Sequence, residues 1–154
     1  MSDPHLSICI VNWNTRDFLK DCLESIYSDP DSVRWEVIVV DNASSDDSVA
    51  MVQAHFPAAL LVSLNANEGF VGANNIAMGL ARAPYWLLLN SDTRVEQGAL
   101  GQLVAFMEEM PEAGAVGAKL LNDDGSLQLS CGIAPTFWSE VANKILLHKL
   151  FPFY

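Results

Sequence analysis

The sequence predicts an α/β fold with a mostly parallel sheet covered by helices on both faces, and three observations carry that expectation. Short apolar runs alternate with amphipathic stretches as far as about residue 121, and strand and helix in regular alternation favour parallel strands joined by right-handed crossovers. The runs are rich in Ile, Val and Leu without polar alternation, as strands covered on both faces require. The carboxyl ends of the first four runs are all rich in Asn or Asp, and that edge is where open α/β sheets hold their ligands.

The first buried strand is expected over Leu6 to Val11. Asn14 can cap a helix from about Thr15 to Tyr27, with Phe18, Leu19, Cys22, Leu23 and Ile26 on one face and Asp17 in the first turn. Trp35 to Val40 reads as the second strand. A helix then starts at Ser44 or Ser45, helped by Asp46 and Asp47 at its positive end, and Pro57 closes it. Ala59 to Leu64 is the third strand and Gly69 to Arg82 the third helix. Tyr85 to Leu89 follows as a strand with no room for solvent on either face, then a helix from Glu96 to Met110 and a fifth strand over Ala115 to Leu121. Asn122-Asp123-Asp124-Gly125 is a turn signal, Ser126 to Ser130 a returning hairpin arm, and Thr136 to Leu150 has helical spacing.

A chain of 154 residues suits one domain with a proper core, here a core over about 6–121 and a hairpin and helix over 122–154. Half of it is hydrophobic and the formal net charge is −11, which argues against nucleic acid, since that binding needs Lys and Arg to neutralise phosphates. Cys9, Cys22 and Cys131 are odd in number and form no CxxC pair, so structural thiols of a reduced compartment are expected. The N-terminus has no basic region before its apolar run, and no apolar stretch reaches the roughly 18 residues of a spanning helix. The expectation is a cytoplasmic chain. Its aromatic end, Phe151-Pro152-Phe153-Tyr154, reads as truncation, with docking on a second copy or on the inner membrane face as the alternatives.

The candidate site residues lie at the strand ends. After the first strand come Asn12-Trp13-Asn14, after the second Asp41-Asn42-Ala43-Ser44, after the third Asn65 to Phe70, and after the fourth Asn90-Ser91-Asp92. Asp41 or Asn42 can accept the N–H of a pyrimidine ring whose face Trp13 covers; alternatively the pair only shapes a turn and Trp13 is core. Gly69 lets backbone approach a ligand, and the helix that opens there and carries Asn74 and Asn75 offers N–H groups to phosphate or ribose oxygens. A carboxylate at the tip of a buried strand, Asp92, suits a hard divalent cation that keeps several waters and bridges phosphate oxygens. The plain alternative for Asp92 is a helix cap. The histidines are scattered, which disfavours zinc.

The segments SICIVNWN, EVIVVDNASSDDS, NANEGFVGANN and WLLLNSDT, in this order and spacing, resemble the inverting glycosyltransferases of family 2, which have a three-layer α/β/α GT-A fold. The NEGF and LLNSDT variants are most similar to the rhamnosyltransferase-like branch. The resemblance covers about Leu6 to Leu121 and implies transfer of a sugar, with inversion, from a nucleoside diphosphate to an acceptor hydroxyl of a glycan or lipid-linked acceptor in cell-surface polysaccharide synthesis. It implies a UDP- or dTDP-linked donor, dTDP-rhamnose first. By position, Val11, Asn12 and Trp13 lie near the base and Asp41 or Asn42 takes the pyrimidine N–H. Asn67, Gly69, Phe70, Asn74 and Asn75 line the ribose and diphosphate side. Asp92, beside Asn90, binds Mg²⁺ or Mn²⁺ in a DxD-like motif whose first acid is here an amide.

Inversion needs a general base opposite the leaving diphosphate. In this family it lies in an acceptor half beyond the hairpin, and no match precedes Tyr154; Asp123 and Asp124 read as turn residues and Glu140 as an exposed helix position. The expectation is donor binding with little or no transfer by this chain alone. Rival readings are a non-catalytic binding or assembly module and a sugar-phosphate nucleotidyltransferase. The latter would need a Gly-rich loop after the first strand, where Asn12-Trp13-Asn14-Thr15-Arg16 stands. A phosphatase of the DxDxT kind would need a nucleophilic Asp at Asn90, and an amide cannot form that covalent intermediate.

Overall fold

A computed structural model describes residues 3–29, 33–122 and 124–128. Two compact units divide the chain, Met1–Val116 and Gly117–Tyr154. The first contains β1 (Leu6–Asn12), α1 (Arg16–Tyr27), β2 (Trp35–Asp41), α2 (Ser48–His55), β3 (Leu60–Ser63), α3 (Gly69–Leu80), β4 (Tyr85–Asn90) and α4 (Ala99–Glu109).

The four strands form one parallel sheet in the order β3-β2-β1-β4. The chain steps outward from β1 through α1 and α2, then α3 carries it back over the sheet to lay β4 on the other side of β1. Right-handed crossovers in opposite directions place their helices on opposite faces. Accordingly Leu19, Leu23 and Ile26 of α1, Met51 and Val52 of α2, and Leu100 and Val104 of α4 share one core with Ile8, Ile10, Val37 and Val39. On the other face Ala73 and Ala77 of α3 pack on Cys9, Ile38 and Val40. Small residues on α3 let the helix sit close to strands whose side chains are already branched and bulky. The result is the three-layer α/β arrangement that the alternation of periods predicts.

Three details differ from the sequence reading. Tyr85, Leu87 and Leu89 turn inward, but Trp86 and Leu88 are 55% and 51% exposed. The reason is that β4 ends the four-stranded sheet while α3 lies over β1 and β2, so among the described residues no helix covers that face of β4. The fifth strand is absent as well. Among the described residues, 117–120 belong to no ladder; the Gln128 N–H meets Leu120 O at 2.9 Å, and Leu121 makes an isolated antiparallel bridge to Leu127. Apolar character alone does not give a strand; it needs an edge to pair with. Finally, α1, α2 and α4 begin later than expected, at Arg16, Ser48 and Ala99.

The turn before Leu127 is formed as expected, with the Asn122 N–H on Ser126 O at 2.8 Å and Gly125 at φ 79°, a backbone angle glycine adopts without a Cβ clash. Asp123, the rest of the hairpin arm, Cys131, the helix expected over Thr136 to Leu150 with Glu140, and the aromatic end lie outside the described residues. Among the described residues no helix is long and apolar enough to cross a membrane.

The amino-terminal edge of the sheet is locked by Glu36. Its Oε1 accepts the Ser7 hydroxyl at 2.7 Å and the Arg82 N–H at 2.8 Å, and its Oε2 accepts the Arg82 guanidinium at 2.6 and 2.8 Å. Ser7, fully buried, also accepts the Ala83 N–H at 3.1 Å. One side chain thus joins β1, β2 and the entry to β4. Burial pushes the Glu36 carboxyl up, but the bonds from Ser7 and Arg82 outweigh it and hold its pKa below the ordinary value of 4.5. A carboxyl depressed by folding stabilises the fold above its unfolded pKa, and that contribution is lost as pH falls through the folded value. Glu36→Gln is therefore expected to cost about 1–2 kcal/mol near neutral pH. The difference from wild type should shrink as pH drops below 4.5, read from urea midpoints across an acid series.

Candidate functional site

At the opposite edge all four strands end in polar residues. Their loops enclose a cleft of about 350 Å³ lined by Val11, Trp13, Thr15, Asn42, Asn67, Phe70, Asn90, Ser91 and Asp92. Strand order reverses at β1, which lies between β2 and β4, and such a switch point is where parallel sheets open a crevice.

Next to the cleft's lining lies a network of buried amides and one carboxylate. Asn12 is fully buried; its Nδ2 donates to Asp41 Oδ2 at 2.9 Å and to Ser44 Oγ at 3.1 Å, and its Oδ1 accepts the Thr15 hydroxyl at 2.7 Å. Asp41, 2% exposed, takes the Ser44 N–H on its other oxygen at 2.9 Å. Neither Asn12 nor Asp41 reaches the lining. Asn42 does, and its amide is used on both sides: Oδ1 accepts the Glu68 N–H at 2.8 Å and Nδ2 donates to Asn67 Oδ1 at 2.9 Å. The second strand end therefore sets the position of the loop that opens α3.

Loop conformations here depend on residues tolerant of left-handed backbone. Asn14 and Ala43 have φ of 55° and 62°. Asn is at home in that region, whereas Ala pays a steric cost there of about 1 kcal/mol. Asn14 does not cap α1. Its Oδ1 accepts the Ser45 N–H at 2.8 Å, and its own N–H goes to Ser44 Oγ at 2.9 Å. The cap comes from Asp46, whose two oxygens accept the Arg16 N–H at 3.1 Å and the Ser48 N–H at 3.0 Å. Burial raises the Asp46 pKa, but the bonds from Ser48 and Arg16 prevail and lower it.

On the third strand end, Asn67 Oδ1 also accepts the Gly69 N–H at 2.8 Å, with Gly69 at φ 73°. Phe70 and Trp13 are 61% and 56% exposed, so two aromatic faces border the cleft and Trp13 is not core. Asn74 is turned back into its helix, donating to Phe70 O at 2.9 Å, and Asn75 points to the surface outside the lining. At the fourth strand end Asn90 and Asp92 are exposed and Ser91 is buried, with Thr15 Oγ1 2.9 Å from Ser91 Oγ. Asp92 is the one carboxylate of the lining. Its charge reaches Cys22 beneath, whose thiol burial first, and Asp92 second, push up to about 12.

Among the described residues no three His, Cys, Asp or Glu side chains gather to hold a metal by themselves. A lone carboxylate beside an amide fits a hard cation that arrives with phosphate oxygens and waters, and does not fit an all-protein cage. The sequence reading thus placed Val11, Trp13, Asn42, Asn67, Phe70, Asn90 and Asp92 where the fold brings them together. It gave no role to Thr15, whose position at a helix start signals only a cap.

The comparisons with known proteins agree with this architecture. A teichuronic acid biosynthesis glycosyltransferase, TuaG, of Bacillus subtilis is 29% identical over 127 residues, 80% of this chain and 50% of the relative. The succinoglycan biosynthesis protein ExoO of Rhizobium meliloti is 30% identical over 122 residues, 79% of this chain and 33% of the relative. This chain therefore spans half the length or less of these relatives. Among solved structures, Staphylococcus aureus TarS 1–349 overlays with a TM-score of 0.62 at 24% identity, covering 69% of this chain and 33% of TarS. The mannosyltransferase PcManGT of Pyrobaculum calidifontis, in complex with GDP-Man and Mn²⁺, overlays at 0.61 and 24% identity, covering 70% and 33%. These overlays bear out the GT-A fold. The profile of the family described as glycosyl transferase family 2 matches residues 7–152, nearly the whole chain, and the protein belongs to that family.

Proposed function

We propose that this chain binds the donor of an inverting glycosyl transfer, a nucleoside-diphosphate sugar, in the cleft at the carboxyl edge of its sheet. The observation that carries the reading is the lining itself. Exposed aromatic faces, Trp13 and Phe70, stand at one part of a cleft whose single carboxylate, Asp92, stands at another. A nucleoside diphosphate needs this pairing, because a flat base gains from a π face while the diphosphate needs its charge compensated.

In this reading Trp13 covers the base. Asn42 takes the pyrimidine N–H on the second lone pair of Oδ1, since it reaches the lining and the more deeply buried Asp41 does not. Asn67 and the start of α3 at Gly69 and Phe70 face the ribose and diphosphate. Asp92, with Asn90 beside it, would hold Mg²⁺ or Mn²⁺. Such an ion supplies charge stabilisation for the departing diphosphate. The net charge of −11 makes a cation the natural mediator between an acidic protein and an anionic donor.

The relatives' names support the wider setting. Teichuronic acid and succinoglycan biosynthesis support a cell-surface polysaccharide as acceptor, and TarS structures with UDP and UDP-GlcNAc support a UDP-linked sugar; a dTDP-linked donor rests on the sequence resemblance alone. Rhamnosyl transfer is the finer form of the proposal and rests on the NEGF and LLNSDT segments.

Calorimetric titration with UDP and with dTDP, with and without Mn²⁺, tests the reading. Mn²⁺ should tighten binding, and Asp92→Ala should remove that gain; binding indifferent to both metal and Asp92 would overturn the site. Trp13→Ala should weaken either nucleotide by about tenfold, the order of one lost base–aromatic stack. Quenching of Trp13 fluorescence by UDP in the wild-type chain, absent in the variant, checks the contact directly.

A further inference from the structure

Thr15 occupies the N-cap position of α1, where a Thr hydroxyl ordinarily accepts an N–H of the helix's first turn. It makes no such bond. The Arg16 N–H is taken by Asp46 instead, and the Thr15 hydroxyl lies 2.7 Å from Asn12 Oδ1 and 2.9 Å from Ser91 Oγ. A local rule is broken, with the Thr15 hydroxyl turned to the ends of β1 and β4 and not to its own helix, which is the pattern expected where a side chain is required for something else.

The direction of these bonds follows from donor inventory. Asp41 can only accept, so the Asn12 amide presents Nδ2 to Asp41 and Oδ1 to Thr15. Thr15 has one proton and gives it to Asn12. Ser91 must then donate to Thr15, which leaves the Ser91 oxygen with lone pairs only. Four side chains form a one-way string from the tip of β4, through the start of α1 and the end of β1, to the end of β2. The string terminates on a buried carboxylate, and each bond polarises the next.

We propose that Thr15 is a positioning residue that fixes the Asn90–Asp92 tip against the base side of the cleft and keeps Ser91 an acceptor beside Asp92. The inference rests on the nucleotide-sugar reading above. The β4 ladder ends at the Val11–Asn90 pair, so Ser91 and Asp92 lie beyond it. Among the described residues the tip's other links are the Thr93 N–H on Asn90 O at 3.2 Å and a thiol contact from Cys22 to the same oxygen at 3.8 Å. These two links and the Val11 pairing all act on Asn90, whereas the Thr15 contact acts on Ser91. An acceptor at Ser91 next to a carboxylate favours a cation and its waters over a bare phosphate oxygen.

Thr15→Val keeps the side-chain shape and deletes the hydroxyl; Thr15→Ser restores it; Ser91→Ala cuts the string from the other end. The reading is the ratio of the UDP dissociation constants without and with Mn²⁺, by calorimetry on the whole chain. Thr15→Val and Ser91→Ala should each lower that ratio by about tenfold, in the range seen when residues supporting a metal ligand are removed, and Thr15→Ser should recover it. In the ligand-free chain the Thr93 amide should exchange faster in Thr15→Val and return to the wild-type rate in Thr15→Ser. A purely structural role would weaken both constants alike and leave the ratio unchanged, and that result overturns the proposal. If Thr15→Val does not fold, an undiminished ratio in Ser91→Ala overturns it equally. Wild-type chain that binds neither UDP nor dTDP would sink the nucleotide-sugar reading and this inference with it, whereas Mn²⁺-tightened wild-type binding with unaffected variants sinks this inference alone.

Discussion

Four parallel strands that stop at the same level leave a row of backbone groups with no strand to continue them, and helices that start just beyond add unpaired N–H groups of their own. In this chain backbone N–H groups meet the strand-end carbonyls of Asn12, Asp41 and Asn90, while the helix starts are served largely by side chains from the loops. None of the four helices is capped by the side chain at its own N-cap position. Asp46 serves α1 and α2, Asn42 and Asn67 serve the start of α3, and Asp29 accepts the Gly98 N–H before α4 at 3.1 Å. Each cap is thereby also a brace between loops, and the cleft inherits its shape from these braces. Asn12 stands at their centre because it is the buried residue that touches both the β2 end and the start of α1.

The two edges of the sheet solve the same problem for different ends. At the amino-terminal edge Glu36 gathers Ser7 and Arg82 into a compact ion-pair network whose task is to hold strands together. At the carboxyl edge the polar side chains are less fully enclosed, and among those that line the cleft Asn67, Asn90 and Asp92 are exposed.

Much of this was legible in the residues, for identifiable reasons. The runs around Ile8, Val39 and Leu87 have the apolar density of buried parallel strands, and Leu19, Leu23 and Ile26 recur at helical spacing, so element type and order were fixed by periodicity. The strand-end motifs come together because topology sends every carboxyl end to one edge. What periodicity could not report was pairing across distance. The 76 positions between Thr15 and Ser91 leave no local trace, and Thr15 looks like any helix start. Nor does composition distinguish Ala115 to Leu121 from a strand, since a strand is made by the ladder it forms and not by hydrophobicity. Trp86 and Leu88 illustrate the converse: their apolar character does not reveal that α3 stops short of β4.

Among the described residues two cysteines are buried, and they lie on opposite sides of the sheet, Cys22 in the layer of α1, α2 and α4, and Cys9 under α3. Burial pushes their thiols up to about 12 and about 11, so at neutral pH neither is a thiolate and neither reacts while its layer is closed. Alkylation of each, followed by its own peptide, therefore times the opening of one layer. The native chain carries an internal pair of clocks, able to tell whether the helical coat peels from one face before the other or both faces come apart together.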